Sequence, residues 1–203
     1  MLKPIIGIIT RKSISEEGNN INTIYNDISK VLMNNNGIGI GLVLDSNYKE
    51  VINLCDGIIF QGGDNLEEYD LDALNYCYEI DKPVLGICLG MQFMGLLFGG
   101  VIIDIKNHKK KLQYAHSVRI NENSKLYNIL KTSDIKVNSR HKSAIKNTKL
   151  KVAGLSNDGY IEALEAPNKK FFIGVQWHPE NMVNYDNRQV NIFKRFIELS
   201  KKK

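Results

Sequence analysis

The sequence predicts one three-layer α/β domain spanning residues 1–203, with a central, mostly parallel sheet and a nucleophile elbow at the end of one strand. Three observations carry this expectation. Short β-rich apolar runs alternate with helix-period segments through the first half, which is the mark of βαβ units around a parallel sheet. The 203 residues are 43% hydrophobic and 24% charged, enough for a full core and unlike the composition of a disordered chain. A cysteine stands between two glycines, after one apolar run and before another, at Gly86-Ile87-Cys88-Leu89-Gly90.

The elements follow in order. Residues 5–10 form the first strand, and 23–33 a helix, because Ile24, Ile28, Val31 and Leu32 recur near helical period until Asn34-Asn35-Asn36-Gly37 breaks it. Residues 38–44 form the second strand. Gly37 before it and Gly39 and Gly41 within it imitate a dinucleotide fingerprint, but their spacing is wrong and they enter a strand where the fingerprint opens a helix. A short helix at 48–54, a strand at 57–60, and a helix at 71–80 ended by Lys82-Pro83 lead to a central strand at 84–87. The run 84–103 is long enough to cross a bilayer, with Gln92 its only strongly polar side chain. Gly86, Gly90, Gly95, Gly99 and Gly100 divide it instead into strand, turn, buried helix and a second buried strand at 101–103. Beyond Asp104, alternating segments near 117–120, 151–155, 160–164 and 171–176 read as strands, and 187–199 as a closing helix. No repeat or linker interrupts the pattern.

Composition narrows the function classes. The net charge of +5 is a mild basic excess, partly carried by a solvated tail, Lys201-Lys202-Lys203, so neither nucleic-acid nor membrane binding is expected. Three cysteines, Cys55, Cys77 and Cys88, are too few for a disulfide framework and fit a reducing cytosol. The apolar stretch after Pro4 is too short for an export signal, so a cytoplasmic protein is expected.

Cys88 has the framing of a nucleophile. A residue on a tight strand-to-helix turn is forced into strained backbone geometry, flanking glycines remove clashes, and the thiol is presented at the carboxyl end of the sheet. The N-terminus of the following helix favours thiolate. Cys55 and Cys77 lack this framing and read as buried structural cysteines. A thiolate needs an acid/base partner, and among His108, His116, His141 and His178 the last stands out, in Trp177-His178-Pro179-Glu180. Two residues apart in an extended segment, His178 and Glu180 share one face, so Glu180 can orient the imidazole. Gly62 and Gly63, in Phe60-Gln61-Gly62-Gly63-Asp64, offer unencumbered N–H groups. One of them, with the N–H of Leu89, makes an oxyanion hole. The histidines show no metal-ligand spacing, so neither metal nor organic cofactor is expected.

At these residues the sequence resembles the class I glutamine amidotransferase superfamily, a flavodoxin-like fold. Its elbow is matched by Gly86-Ile87-Cys88-Leu89-Gly90-Met91-Gln92 and its His-Pro-Glu by His178-Pro179-Glu180. Val137-Asn138-Ser139-Arg140-His141 and Asp158-Gly159-Tyr160-Ile161-Glu162-Ala163 look like the γ-glutamyl hydrolase branch, which includes γ-glutamyl-γ-aminobutyrate hydrolase. The resemblance implies a Cys88-His178-Glu180 triad, Leu89, Gly62 and Gly63 at the oxyanion, and Gln92 holding the glutamyl moiety. It also implies a pocket lined by Ser139, Arg140, His141, Lys142 and Ser143. The sequence departs from the branch in having Leu89 where Arg commonly follows the nucleophile, and Arg140-His141-Lys142-Ser143 where a Phe-His-His-Gln-type stretch is common.

The expected activity is hydrolysis of a small-molecule γ-glutamyl amide through a γ-glutamyl thioester, releasing glutamate and an amine. Basic residues expected near the mouth are Arg11, Lys12, Lys109-Lys110-Lys111, Arg140 and Lys142; the lysine run reads most simply as solvated surface, while Arg140 and Lys142, flanking a motif position, suggest an anionic leaving group. The γ-glutamyl-CDP-amidate hydrolases of capsule phosphoramidate biosynthesis are one family reading that fits. Two rivals are a glutaminase subunit passing ammonia to a separate synthase, and a noncatalytic cysteine redox sensor. The His178-Glu180 pairing argues against the sensor, which has no need of an oriented base.

Overall fold

A computed structural model describes residues 2–202, so Lys203 of the expected solvated tail lies outside the described residues. The chain runs through β1 (Ile5–Ile9), β2 (Arg11–Ile14), β3 (Asn20–Thr23), α1 (Asn26–Asn34), β4 (Ile38–Leu42), α2 (Tyr48–Asn53) and β5 (Gly57–Phe60). Next come α3 (Asp70–Glu79), β6 (Val84–Ile87), α4 (Leu89–Leu97), β7 (Val101–Asp104), β8 (His116–Ile120), α5 (Lys125–Leu130) and β9 (Asp134–Val137). The last elements are β10 (Ser143–Lys146), β11 (Lys151–Ser156), β12 (Ile161–Glu165), β13 (Phe172–Val175) and α6 (Asn187–Ser200).

Nine strands form the central sheet in the order β4-β1-β5-β6-β13-β12-β11-β8-β9. From β4 to β13 the pairings are parallel; from β13 outward they are antiparallel. The central strands are buried on both faces, which explains their unbroken apolar runs. One face packs Ile28, Val31 and Leu32 of α1 and Phe193, Phe196 and Ile197 of α6 against Leu85, Ile87 and Ile173. The other packs Ala73, Leu74 and Cys77 of α3 and Met91, Phe93 and Met94 of α4 against Ile58, Phe60 and Phe172. Each such large side chain contributes about 1.5–3 kcal/mol on burial. The three-layer α/β expectation therefore holds, and the apolar run at 84–103 resolves into β6, α4 and β7. No helix among the described residues is long and apolar enough to cross a membrane.

Several expectations need correction. The helix expected from residue 23 begins at Asn26, because Thr23 pairs with Arg11 in the β2–β3 hairpin and the Tyr25 N–H donates to Gln61 Oε1 at 2.9 Å. The strand expected as buried at 101–103 is instead largely exposed: β7 leaves the main sheet and pairs with β10 in a two-stranded ribbon. Five elements escaped the sequence reading, the hairpin strands β2 and β3 among them. Helix α5 is only six residues long, capped by Ser124, whose side chain accepts the Tyr127 N–H; β9 and β10 are four residues each.

Candidate active site

The site is built where β6 turns into α4. Cys88 holds φ 53° and ψ −103°, and its N–H donates to the Val175 carbonyl at 2.8 Å, tying the elbow to β13. The glycines are sterically required. A Cβ at Gly86 would lie 2.8 Å from the Gly90 carbonyl carbon, and one at Gly90 only 2.0 Å from the Phe60 carbonyl oxygen. The first residue of a helix has no intrahelical partner for its N–H, so that of Leu89 is free to meet an incoming oxygen. Gly62 lies close to both Cys88 and His178: a Cβ there would stand 3.0 Å from His178 Cε1 and 3.5 Å from Cys88 Cβ. A Cβ at Gly63 would meet Leu89 Cδ2 at 3.2 Å, which places Leu89, Gly62 and Gly63 around one small space.

His178 and Glu180 meet as anticipated, with Nδ1 2.7 Å from Oε1, but not through an extended strand. Strand β13 ends at Val175, and Pro179 opens a 3₁₀ turn over Pro179–Asn181 that folds Glu180 back onto the imidazole. Proline's fixed φ suits the first position of such a turn. Asn138 fixes the histidine backbone from β9's end: its Oδ1 accepts the His178 N–H and its Nδ2 donates to the His178 carbonyl, both at 2.8 Å. Burial works against a charged imidazole, but the Glu180 carboxylate and the Cys88 sulfur outweigh it and raise His178 to about 10. The other thiols are different. Burial raises Cys55 to about 11 and pushes Cys77 up further, despite the nearby Lys82 ammonium.

Around the thiol is a cleft of about 60 Å³ lined by Gly63, Asp64, Leu89, Gln92, Lys109, Arg140, His141, Lys142 and Ser143 as well as Cys88. A larger cavity of about 610 Å³ lies between α5 and α6, away from every candidate catalytic group. The chemistry, not the volume, locates the site. Gln92 reaches the cleft, but its Nε2 donates to Gln176 Oε1 at 3.0 Å and to the Ser143 carbonyl at 2.9 Å. Gln176 in turn points its Nε2 at Cys88 Sγ, 3.5 Å away. Ser139 is fully buried and absent from the cleft lining. Arg140 and Lys142 are exposed at the mouth with Lys109. Arg11, expected there as well, is buried in an ion pair with Asp70 at 2.7 Å and stacks over Phe93, while Lys12 turns toward Glu67.

Sequence reasoning missed the roles of Asn138, Gln176 and Tyr25, whose ring meets that of His178 edge-on at 6.3 Å. It also missed a second assembly. His108, His116 and His141, on three separate segments, converge on Glu162, all within 4.8 Å of one another at their ligand atoms. Burial opposes ionisation of Glu162, but the three imidazoles hold its carboxyl well below the usual range.

A cysteine on a strained strand-to-helix elbow, facing a histidine oriented by a carboxylate at the carboxyl edge of an α/β sheet, defines the class of cysteine-type acyl-transfer hydrolases. Residues 67–180 match the Peptidase C26 family. The chain is 31% identical over 180 residues to the glutamine-hydrolyzing GMP synthase subunit of Archaeoglobus fulgidus, covering 88% of this chain and 94% of that protein. In fold it is similar to the glutaminase domain of Trypanosoma brucei CTPS with bound acivicin (TM-score 0.74, 17% identity, 97% of this chain and 93% of that one). It is also similar to a glutamine amido transferase from Methylobacillus flagellatus (TM-score 0.72, 13% identity, 100% and 97%). This chain belongs to the Peptidase C26 family of the class I glutamine amidotransferase-like superfamily, and is an amide-hydrolysing enzyme.

Proposed function

We propose that the chain is a γ-glutamyl amide hydrolase whose leaving group is anionic, a nucleotide phosphoramidate being the form of substrate that fits best. The observation that carries this reading is the pairing of the Cys88-His178-Glu180 arrangement with a cationic rim. The 60 Å³ cleft has room for little more than a carboxamide end, so the rest of a substrate lies across Lys109, Arg140 and Lys142. In this mechanism Cys88 Sγ attacks the side-chain carbonyl carbon, and the oxyanion faces the Leu89 N–H and the Gly62-Gly63 segment. His178 delivers its proton to the departing nitrogen, leaving a γ-glutamyl thioester. The imidazole, held by Glu180, then takes a proton from water as the hydroxyl adds to the thioester. Glutamate departs and the thiolate is restored.

One observation favours a second reading, a glutaminase subunit that passes ammonia to a separate synthase: the similarity to the Archaeoglobus GMP synthase subunit covers 94% of that protein. Purified chain assayed against glutamine and against γ-glutamyl amides of neutral, cationic and phosphorylated amines separates the two. Robust turnover of a phosphorylated substrate by the isolated chain supports the hydrolase. Activity on glutamine alone, dormant until a synthase is added, replaces it with the ammonia-delivering role.

A further inference from the structure

We infer that His108, His116, His141 and Glu162 bind one divalent transition-metal ion, zinc by its ligand chemistry, in a closed site that fixes the wall of the Cys88 cleft. The first argument is geometric. His108 Nδ1 lies 3.3 Å from His141 Nε2, and Glu162 Oε1 lies 3.5, 3.2 and 3.5 Å from His108 Nδ1, His116 Nε2 and His141 Nε2. Zinc–nitrogen and zinc–oxygen bonds of 2.0–2.2 Å in a tetrahedron set neighbouring ligand atoms about 3.3–3.5 Å apart. Four of the six edges, at 3.2–3.5 Å, lie close to that figure, and the remaining two are within 4.8 Å.

The second argument is hydrogen bonding. The Ser143 carbonyl can only accept, so His141 donates to it from Nδ1 at 3.0 Å and turns the lone pair of Nε2 inward. His108 Nε2 lies 2.9 Å from the Asp158 carboxylate, which turns the Nδ1 lone pair inward too. His116 Nε2 and both Glu162 oxygens are buried yet make no hydrogen bond among the described residues. One shared proton can bridge His108 and His141, but it leaves the other buried acceptors unanswered, each at a cost of about 1–3 kcal/mol. A cation at the centre answers His116 Nε2, Glu162 Oε1 and the inward lone pairs of His108 and His141 together. Imidazoles whose outer nitrogens donate to a carboxylate and a backbone carbonyl are the usual support around a bound metal.

Ligand type and number complete the assignment. Three imidazoles and a carboxylate suit zinc, and four protein ligands leave no position open for substrate, so the site positions residues and takes no part in the bond-breaking step. The ligands come from the loop after β7, from β8, from the loop before β10 and from β12. Lys109 follows His108, and Arg140 and Lys142 flank His141, so every cation on the cleft rim adjoins a ligand. Binding takes neutral imidazoles and a carboxylate, and any proton the empty cluster holds goes to solvent.

The test uses the full, tag-free chain, and its readout is metal uptake, so it stands or falls independently of the reaction assigned to Cys88. After chelator stripping, the folded protein is titrated with Zn²⁺ in competition with a chromophoric chelator, and its melting temperature is recorded with and without metal. The expected result is one Zn²⁺ per chain with a raised melting temperature. Glu162→Gln should abolish stoichiometric uptake, and Asp158→Asn, at an exposed supporting residue, should weaken it about 10- to 100-fold. If Glu162→Gln does not fold, Co²⁺ added to the wild-type chain should give the strong visible absorption of a tetrahedral ion. Folded wild-type chain that takes up no equivalent of Zn²⁺ overturns the site. So does uptake unchanged by Asp158→Asn, or a weak six-coordinate Co²⁺ spectrum.

Discussion

All four histidines of the chain lie in two assemblies, and the two are built on opposite plans. In the first, His178 has one in-line partner, Glu180 at 2.7 Å, and its ring faces a thiol at the floor of a cleft. In the second, three imidazoles surround one carboxylate oxygen at 3.2–3.5 Å, and none of them makes a hydrogen bond to it. A linear pair orients a proton for transfer; a convergent shell encloses a centre. The contrast supports the proposed reaction at the first and the proposed bracing of the cleft wall at the second, with His141 and Ser143 where they meet.

The sharpest way to break that division is to remove the thiol. Cys88→Ala should lower turnover by about 10⁴-fold or more with little change in melting temperature, measured on the substrate that the profiling identifies. Cys55→Ala and Cys77→Ala should keep activity and lose about 1–3 kcal/mol of stability in denaturant titrations, since both thiols are buried in the core and pushed away from thiolate. Substantial turnover in Cys88→Ala ends the covalent mechanism.

A second prediction separates the members of the linear pair. His178→Ala removes the proton-transferring group and should approach the Cys88→Ala loss. Glu180→Gln keeps a hydrogen-bonding oxygen but loses the charge that stabilises imidazolium, so it should be about 100-fold less damaging. Equal kcat for Glu180→Gln and wild type reduces the triad to a dyad.

The two plans also explain what the sequence could and could not disclose. The elbow was legible because it is local: two glycines, a cysteine and the flanking apolar runs fall within a few residues. His178 and Glu180 were legible for the same reason, although the extended geometry inferred for them is a 3₁₀ turn begun by Pro179. The histidine shell was not, since its members sit on four segments that only the β7–β10 pair and the β8–β11–β12 order of the main sheet bring together, and no spacing rule spans them. The same limit applied to Arg11, whose place after β1 suggested the mouth while Asp70, on α3, draws it into the interior.

A smaller effect tests the rim that the shell supports. If Arg140 engages an anionic leaving group, Arg140→Ala should lower kcat/KM for a phosphorylated γ-glutamyl amide about 10-fold or more relative to glutamine, consistent with loss of a charge-assisted hydrogen bond of about 1.5–3 kcal/mol. Arg140→Lys should restore only part of this, because an ammonium lacks the planar fork of a guanidinium. Added salt should narrow the same ratio, over a Debye length of ~10 Å at 0.1 M. An unchanged ratio in both experiments removes the anionic substrate and leaves a neutral or cationic γ-glutamyl amide.

The smallest predicted effect is on stability, and its sign is fixed by His178. Its folded-state pKa of about 10 lies above the unfolded value of about 6.5, so its contribution to stability is complete below about pH 6.5. That contribution falls away as pH rises through about 10. The Glu180 carboxylate and the Cys88 sulfur are what raise the pKa, and both interactions lose their cationic partner when the imidazole becomes neutral. Comparing wild type with His178→Gln in melting experiments from about pH 7 to about pH 10.5 cancels the tyrosines and lysines that titrate in the same range. The wild-type advantage should shrink across that window, each kcal/mol lost appearing as about 2–4 °C for a chain of this size. An advantage that is constant or grows with pH would mean that His178 is neutral in the resting site, and Cys88 would then have to be activated as a thiol giving up its proton during attack.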